Sequence, residues 1–299
     1  MKIAEMRDNL SLLGRLERRM KAGNILSARA EAEQLIRHFG RMSRLDLFSG
    51  EKTVSPKTRR SLEQALQRRL GGFPLSYVLK EAEFFGRKFF VTPHTLIPRP
   101  ETEILAEEAL KLLDAYYFNR GDGIKNVRVL DVGTGCGNLA VSLTMERPGC
   151  RMTALDISGK ALQVSRKNIN RHGLGKRVQL FQSDLFGVFG RNPRQKAWDV
   201  IVSNPPYIPG KDLRGLSREV RSEPRLALDG GPGGFKVLNR ILRDAPRYLS
   251  PGGWLLMEIG DGQSGILAEE ILKRKLWRDW RFVKDYNRKD RVLVARKNG

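Results

Sequence analysis

The sequence predicts an α/β chain in which a seven-stranded, mostly parallel, Rossmann-like sheet follows a small helical domain and a β-hairpin linker. Three observations predict it. Beyond Pro100, apolar strand-like runs alternate with helical stretches, which is the rhythm of a parallel sheet covered on both faces. One of those runs leads straight into Gly133-Thr134-Gly135-Cys136-Gly137 and then a helix, and glycines in such a turn let the backbone lie close to a ligand. Before residue 75, in contrast, the apolar residues recur at helical spacing.

Residues 1–75 read as a bundle of short amphipathic helices. Leu10, Leu13 and Leu16 give one apolar stripe, Leu35, Ile36 and Phe39 a second, and Leu62, Ala65, Leu66 and Arg69 a third. Breaks fall at Gly23-Asn24, around Gly40 and at Ser55-Pro56, where a helix restarts. Gly71-Gly72-Phe73-Pro74 closes the region. Residues 76–98 form the linker, in which Glu83-Phe84-Phe85 and Lys88-Phe89-Phe90-Val91 flank Gly86-Arg87 as a hairpin would. Residues 99–299 form the sheet domain. It opens on a helix at Pro100-Glu101-Thr102-Glu103, where proline suits the first turn and the carboxylates complement the dipole, and this helix reaches to about Tyr117. Strands are expected at 127–131, 151–156, 178–181, 198–203, 253–259, 281–286 and 291–295, with helices at 158–172, 235–249 and 264–275. The last two strands have only a short link, so they form an antiparallel hairpin.

Composition narrows the function classes. The chain has 299 residues, enough for two domains, and 40% of them are hydrophobic, enough for a buried core. Nowhere do about 18 apolar residues run together, so no membrane span is expected. The first 20 residues lack an apolar signal region and carry Glu5, Asp8 and Glu17, which argues against a secretory or transit peptide. Cys136 and Cys150 have neither metal-ligand nor redox spacing, so no metal is expected and a reducing, cytoplasmic setting fits. The formal net charge of +22 suits polyanionic partners such as RNA, DNA, the ribosome or an acidic protein. It equally suits lysines and arginines that merely solvate helix faces.

Four segments carry chemistry. The glycine turn, with Asp156 at the end of the next strand, can hold a nucleoside-bearing ligand, the carboxylate accepting hydrogen bonds from ribose hydroxyls. A dinucleotide-binding fold would share this layout, but prefers a third glycine at the position of Asn138. Ser183-Asp184-Leu185 follows the third strand, where ligands of open sheets bind. There Asp184 either meets an adenine amino group, with Leu185 on the ring, or caps the next turn. The most informative segment is Asn204-Pro205-Pro206-Tyr207, directly after an apolar strand. Two prolines stiffen it and remove two N–H donors, and Asn204 adds a side-chain carbonyl. A planar NH2 group can donate one hydrogen to Asn204 and the other to the Pro205 carbonyl, while Tyr207 offers an aromatic face. An amide nitrogen is a poor nucleophile because its lone pair is delocalised. Fixing both N–H bonds aims that lone pair at an electrophile, with proximity and preorganised acceptors supplying the acceleration.

At these residues the chain resembles the HemK/PrmC family, the glutamine N(5)-methyltransferases of peptide chain release factors. The resemblance covers most of the chain. It also rests on Phe84-Phe85-Gly86, on Leu96-Ile97-Pro98-Arg99-Pro100-Glu101-Thr102-Glu103, and on Glu223-Pro224-Arg225-Leu226-Ala227-Leu228 with Asp229-Gly230-Gly231. It implies a class I S-adenosylmethionine-dependent methyltransferase domain and, as partner, a class I release factor whose Gly-Gly-Gln glutamine is the acceptor. Gly133 to Gly137 would then line the methionine moiety, Asp156 the ribose and Leu185 the adenine, while Asn204 to Tyr207 would grip the acceptor amide. Cys136 stands where a small Ser or Thr is more usual, and Leu185 where some relatives carry an aromatic residue. The N-terminal helices carry no motif, so their role in docking the substrate is an expectation by analogy. Methylation of adenine N6 or another nucleic-acid base would use the same clasp, but the chain shows no module for holding a flipped base. Methylation of a ribosomal-protein glutamine is a nearer alternative. A non-catalytic adaptor is disfavoured by the intact Asn204 and both prolines.

Overall fold

The structure is a computed structural model, and it describes residues 2–119, 127–190 and 197–299. The chain divides into two compact units, Met1–Glu81 with Ser217–Ser222, and Ala82–Leu216 with Glu223–Gly299.

The first unit is built from α1 (Lys2–Ala22), α2 (Ala28–Gly40), α3 (Arg44–Ser49), α4 (Pro56–Leu70) and α5 (Leu75–Leu79). The expected breaks have identifiable causes. Asn24 and Arg41 adopt left-handed φ values of 59° and 49°, Ser43 caps α3 in a reciprocal capping box with Asp46, and Ser55 caps α4 ahead of a first-turn proline. The core gathers Leu13, Leu16, Met20, Leu35, Ile36, Leu47, Leu62 and Leu66. Leu10 departs from the expected stripe: it is exposed, and Leu12 is buried in its place. Arg69 is buried at a position read as part of an apolar face. It is tolerated there because it makes a bidentate pair with Glu31 (2.5 and 3.0 Å) and a further bond to Glu219 at 2.9 Å.

The boundary between the units falls after the first residue of the hairpin formed by β1 (Glu81–Phe84) and β2 (Arg87–Phe90). Its turn residues are Phe85 and Gly86, with φ of 51° and 69°, one residue earlier than Gly86-Arg87. Two positive φ values in a two-residue loop match the twist of the strands. After α6 (Pro100–Asn119) come β3 (Val127–Val132), α7 (Asn138–Glu146), β4 (Cys150–Asp156), α8 (Gly159–Arg171), β5 (Val178–Gln182) and β6 (Trp198–Ser203), and then, in a segment that belongs to the first unit, α9 (Arg218–Arg221). Then follow α10 (Lys236–Asp244), β7 (Leu249–Glu258), α11 (Ser264–Arg274), β8 (Trp277–Lys284) and β9 (Asp290–Lys297). Among the described residues the sheet has seven strands in the order β5-β4-β3-β6-β7-β9-β8. β9 is antiparallel to both neighbours and the other pairs are parallel.

β7 starts at Leu249 rather than 253, and two further boundaries differ from expectation. The helix expected over 235–249 ends at Asp244 and tightens into a 3-10 turn over Ala245–Arg247, because Pro246 has no N–H to continue the ladder. β8 starts at Trp277 rather than 281; its polar residues Arg278 and Asp279 are tolerated because it is an edge strand paired only with β9. One face of the sheet packs Leu130, Ile201, Leu255 and Leu293 against Leu238, Ile241 and Leu242 of α10 and Leu267 and Ile271 of α11. Strand order reverses beside β3, whose chain continues outward through β4 and β5 on one side before returning to β6 on the other. A crevice opens beyond the carboxyl ends of the strands at such a switch point. Among the described residues no helix is long and apolar enough to cross a membrane.

Candidate active site

The carboxyl ends of β3, β4 and β6 supply the floor of a cavity of about 400 Å3. Gly133, Thr134, Gly135, Cys136, Asp156, Asp184, Leu185, Asn204, Pro205 and Pro206 all line it. Gly137 and Tyr207, also singled out from the sequence, stand outside that lining. A larger cleft of about 680 Å3 lies toward the amino ends of the strands, along Arg128, Arg151 and Lys176. It contains none of the glycine turn, the strand-end acid or the Asn-Pro-Pro-Tyr segment, so the chemistry belongs to the smaller cavity.

The glycine turn is bent over the end of β4: the Gly133 and Thr134 amides both donate to the Leu155 carbonyl at 2.8 Å. Gly133 and Gly135 have φ of 80° and 57°, and a Cβ at either would meet nothing within 4 Å. The backbone is thus bare toward open space, a cradle that side chains would fill. Gly137 has a different role from the one expected. It caps α7 with a φ of 84°, and a Cβ there would lie 3.1 Å from the Ser165 hydroxyl, so its lack of a side chain serves helix packing. Beneath the turn, fully buried Asp131 accepts a 2.6 Å hydrogen bond from the Thr134 hydroxyl, and burial pushes its carboxyl up to about 7. Asp156 accepts from the Gly135 amide at 2.9 Å and the Ser158 amide at 2.8 Å. Burial raises its pKa, and those amides draw it back only in part. Each carboxylate oxygen keeps lone-pair capacity for a hydroxyl of a bound nucleoside. Asp184 does not cap the next turn with its side chain; Ser183 accepts from the Val188 amide instead, and Asp184 accepts from Arg240 at 2.9 Å.

The other end of the cavity is held by a buried chain of hydrogen bonds. The Asn204 amide nitrogen donates to the Thr102 hydroxyl at 2.9 Å, and that hydroxyl donates to Glu258 Oε2 at 2.7 Å. The Tyr207 hydroxyl donates to Glu258 Oε1 at 3.1 Å. Tyr207 therefore corrects the sequence reading. Its ring packs on the apolar core and its hydroxyl is drawn inward to Glu258, so its aromatic face is not part of the cavity wall. Burial and the adjacent Glu258 push its hydroxyl well above the ordinary tyrosine range. Burial likewise pushes Glu258 up to about 7. Among the described residues neither Asn204 Oδ1 nor the Pro205 carbonyl accepts a hydrogen bond. Two bare acceptors on adjacent residues suit a ligand group that carries two N–H donors.

The segment is pinned from behind. Ser203 donates to the Val132 carbonyl at 2.7 Å, Gln263 to the Tyr207 carbonyl at 3.0 Å, and the Ile208 amide to the Leu228 carbonyl at 3.0 Å. The sequence left Arg99 and Glu103 without roles. Arg99 pairs with buried Glu223, which also accepts from the Ile97 amide at 3.0 Å, while Glu103 accepts from the Phe85 amide at 2.6 Å. Glu223 thereby ties together the two walls to which Leu96, Pro98, Pro224 and Leu226 belong. Thr102 and Glu258 are the members of the site that sequence reasoning missed. Thr102 was legible as a first-turn helix residue and as part of the family-like segment Leu96 to Glu103, without its bond to Asn204, and Glu258 only as an acid inside a strand.

The chain matches the family described as PrmC N-terminal domain over residues 11–79 and the methyltransferase small domain over residues 116–220. Its fold is shared with a methyltransferase from Pyrococcus furiosus (TM-score 0.51, 19% identity, covering 80% of this chain and 100% of that one). It is also shared with the hMettl16 catalytic domain solved in complex with the MAT2A 3'UTR hairpin 1 (TM-score 0.56, 14% identity, 82% and 81%). At those identities the likeness is one of fold. Sheet order, glycine cradle and strand-end carboxylate together define a class I S-adenosylmethionine-dependent methyltransferase. The release factor glutamine methyltransferase of Moorella thermoacetica is 38% identical over 284 residues, 95% of this chain and 96% of that protein, and the Chlorobaculum tepidum counterpart is 38% identical over 268 residues, 89% of each. The chain belongs to the release factor glutamine methyltransferase family.

S-adenosylmethionine is the methyl donor, and the bare glycine backbone and the spare capacity of Asp156 fit it. When bound, it supplies an electrophilic methyl group on a sulfonium centre.

Proposed function

We propose that this chain methylates the side-chain amide nitrogen of the glutamine in the Gly-Gly-Gln motif of class I peptide chain release factors, acting in the cytoplasm and tuning translation termination. The observation that carries this reading is the pair of unpartnered acceptors, Asn204 Oδ1 and the Pro205 carbonyl, in the wall of a cavity that also holds the glycine turn. Each takes one hydrogen of the acceptor NH2. The nitrogen lone pair is left directed toward the donor side, and its plane is fixed before reaction. Gly133 to Cys136 hold the methionine part of the donor, Asp156 its ribose hydroxyls, and Asp184 and Leu185 its adenine. Pro206 narrows the wall beside the acceptor, and Tyr207 anchors the segment through Glu258. The methylated amide cation sheds its proton readily, so no dedicated base is required. The helices of residues 1–75 dock the release factor. The net charge of +22 supports a weaker, salt-sensitive attraction to the ribosome or another nucleic acid as well.

The test offers labelled S-adenosylmethionine with a release factor, a ribosomal protein and DNA side by side, and mass spectrometry locates the methyl. Label on the Gly-Gly-Gln glutamine is the expected outcome; label on adenine or on the ribosomal protein alone would replace this reading. In the same assay Asn204→Ala should lower turnover by roughly a hundredfold or more, the scale of removing one preorganised hydrogen-bonding group from a transition state. Calorimetry should find donor binding intact in that variant. Lost donor binding, or near-normal turnover, would remove Asn204 from the acceptor site.

A further inference from the structure

We infer that Glu258, acting through Thr102, fixes which end of the Asn204 side-chain amide meets the substrate, and so makes the site select an NH2 group over a carboxylate. This rests on the proposed glutamine methylation and names what sets its specificity. The two ends of an asparagine amide have the same shape, so packing alone does not choose between them; only hydrogen bonding does. The Thr102 hydroxyl has one proton. Glu258 Oε2, 2.7 Å away, takes it, and a hydroxyl that has given its proton away can only accept. Asn204 must then turn its nitrogen to Thr102, as it does at 2.9 Å, leaving Oδ1 as the free end. The flipped amide would set Oδ1 against the hydroxyl oxygen with no proton between them. The Tyr207 hydroxyl, at 3.1 Å on Oε1, stops the carboxylate from rotating out of this arrangement.

The lock requires Glu258 to be ionised. It is completely buried at the end of β7. The groups that face it are Thr102 and Glu101 from α6, Tyr207 from the segment after β6, and Arg291 from β9, whose guanidinium is itself paired with Asp285 at 3.0 Å. Burial outweighs the hydrogen bonds and the arginine, and the carboxyl takes its proton at about 7. Once protonated, Glu258 donates to Thr102, the hydroxyl turns its own proton toward Asn204, and the amide is free to present its nitrogen to the cavity. A nitrogen donor there pairs with a carboxylate and repels an NH2 group. Selection for amide is therefore a property of the buried triad, not of Asn204 alone.

The experiment uses the full-length enzyme, S-adenosylmethionine, a Gly-Gly-Gln peptide as substrate and the same peptide with glutamate in place of glutamine as competitor. For the parent, the glutamate peptide should not compete at pH 8, and kcat should fall about tenfold per pH unit below about 7. For Thr102→Val, which keeps the shape and removes the relay, kcat should drop tenfold to a hundredfold, the range typical when the partner that orients a ligand-contacting group is lost. Calorimetric affinity for S-adenosylmethionine should be unchanged, which shows that the protein is folded, and the glutamate peptide should become an inhibitor. Glu258→Gln should lose the acid limb of the pH profile and also admit the glutamate peptide. Thr102→Ser, which retains a hydroxyl, should restore most of the rate lost in Thr102→Val. An active parent whose Thr102→Val variant still ignores the glutamate peptide, or a Glu258→Gln variant with the parental pH profile, would overturn the lock while leaving glutamine methylation standing. A parent inactive on the glutamine peptide but active on another acceptor would overturn the functional reading and the lock with it.

Discussion

Asp156 and Asp131 end adjacent strands on either side of the glycine turn, yet they hold it differently. Asp156 reaches the cavity and uses its two oxygens to clasp the Gly135 and Ser158 amides. Asp131 lies completely buried below and ties the Thr134 hydroxyl. One shapes the ligand-facing wall and the other the layer that supports it. Asp156→Ala should accordingly weaken S-adenosylmethionine binding by about 2 kcal/mol, the scale of a hydrogen bond to a charged group, or roughly thirtyfold in Kd. Calorimetry on the variant checks this, and an unchanged Kd would withdraw Asp156 from the ribose. Cys136, in the same turn, is buried and its thiol is pushed up to about 12 by that burial. It acts as a small side chain that fits the turn rather than as a nucleophile.

At the scale of elements, the Asn-Pro-Pro-Tyr segment is rigid because a second loop is packed against its back. A Cβ on Gly230 would stand 2.8 Å from the Tyr207 Cα and 2.6 Å from the Gly234 carbonyl oxygen. Backbone therefore lies on backbone, with no flexible side chain to yield. Gly230→Ala should displace the Tyr207 backbone, lower kcat at least tenfold and destabilise the fold by about 1–3 kcal/mol, the range for overpacking. Gly265→Ala in α11, where a Cβ would meet nothing within 4 Å, is the control. It should leave kcat unchanged and raise stability by a few tenths of a kcal/mol to about 1 kcal/mol, because alanine is the better helix former. Steady-state kinetics and urea denaturation on the two variants separate the effects. The Asp229-Gly230-Gly231 stretch thus owes its glycine to the close approach of the acceptor segment, a cause that no local pattern discloses.

For the molecule as a whole, the two carboxyls buried at the site shape the dependence of stability on pH. Glu258 titrates at about 7 in the folded protein against an ordinary 4.5, because burial disfavours its charge. A raised acid pKa contributes stability that is fully present below about 4.5 and is lost as pH rises through about 7. That step is worth roughly 3 kcal/mol for Glu258, and Asp131, also pushed up to about 7, acts in the same direction. Glu63 works in the opposite sense. The Arg19 guanidinium holds it down to about 2, so what it contributes is lost only under acid conditions, below the window in which Glu258 titrates. Denaturation of the donor-free protein at pH 5 and pH 8 should show the parent losing stability over that interval. Glu258→Gln should lose less, by about 3 kcal/mol. Equal losses in the two proteins would mean that Glu258 is not titrating there. The site thus carries a stability cost at the pH where the lock is set, a trade common to buried functional carboxyls.

Local patterns in the chain determined a great deal by themselves. Alternation of apolar runs with helical stretches named all seven strands of the sheet, and the short link after residue 286 made the last pair antiparallel. The glycine turn, Asp156, Asn204 and Pro205, which line one cavity, were legible because backbone freedom, a carbonyl and a strand-end position are properties of residues in sequence order. Only the tertiary structure decided what depends on contact between distant segments. Thr102, Asn204, Tyr207 and Glu258 lie as far as 156 positions apart, and they form one network only because α6, β6 and β7 converge. The same holds for Arg99 with Glu223 and for Gly137 against Ser165. Tyr207 was misread for this reason: an aromatic ring next to a reactive segment faces whichever side buries it, and the apolar core claimed it. Buried polar groups must be paired, and which partner each one finds is settled by packing across the fold.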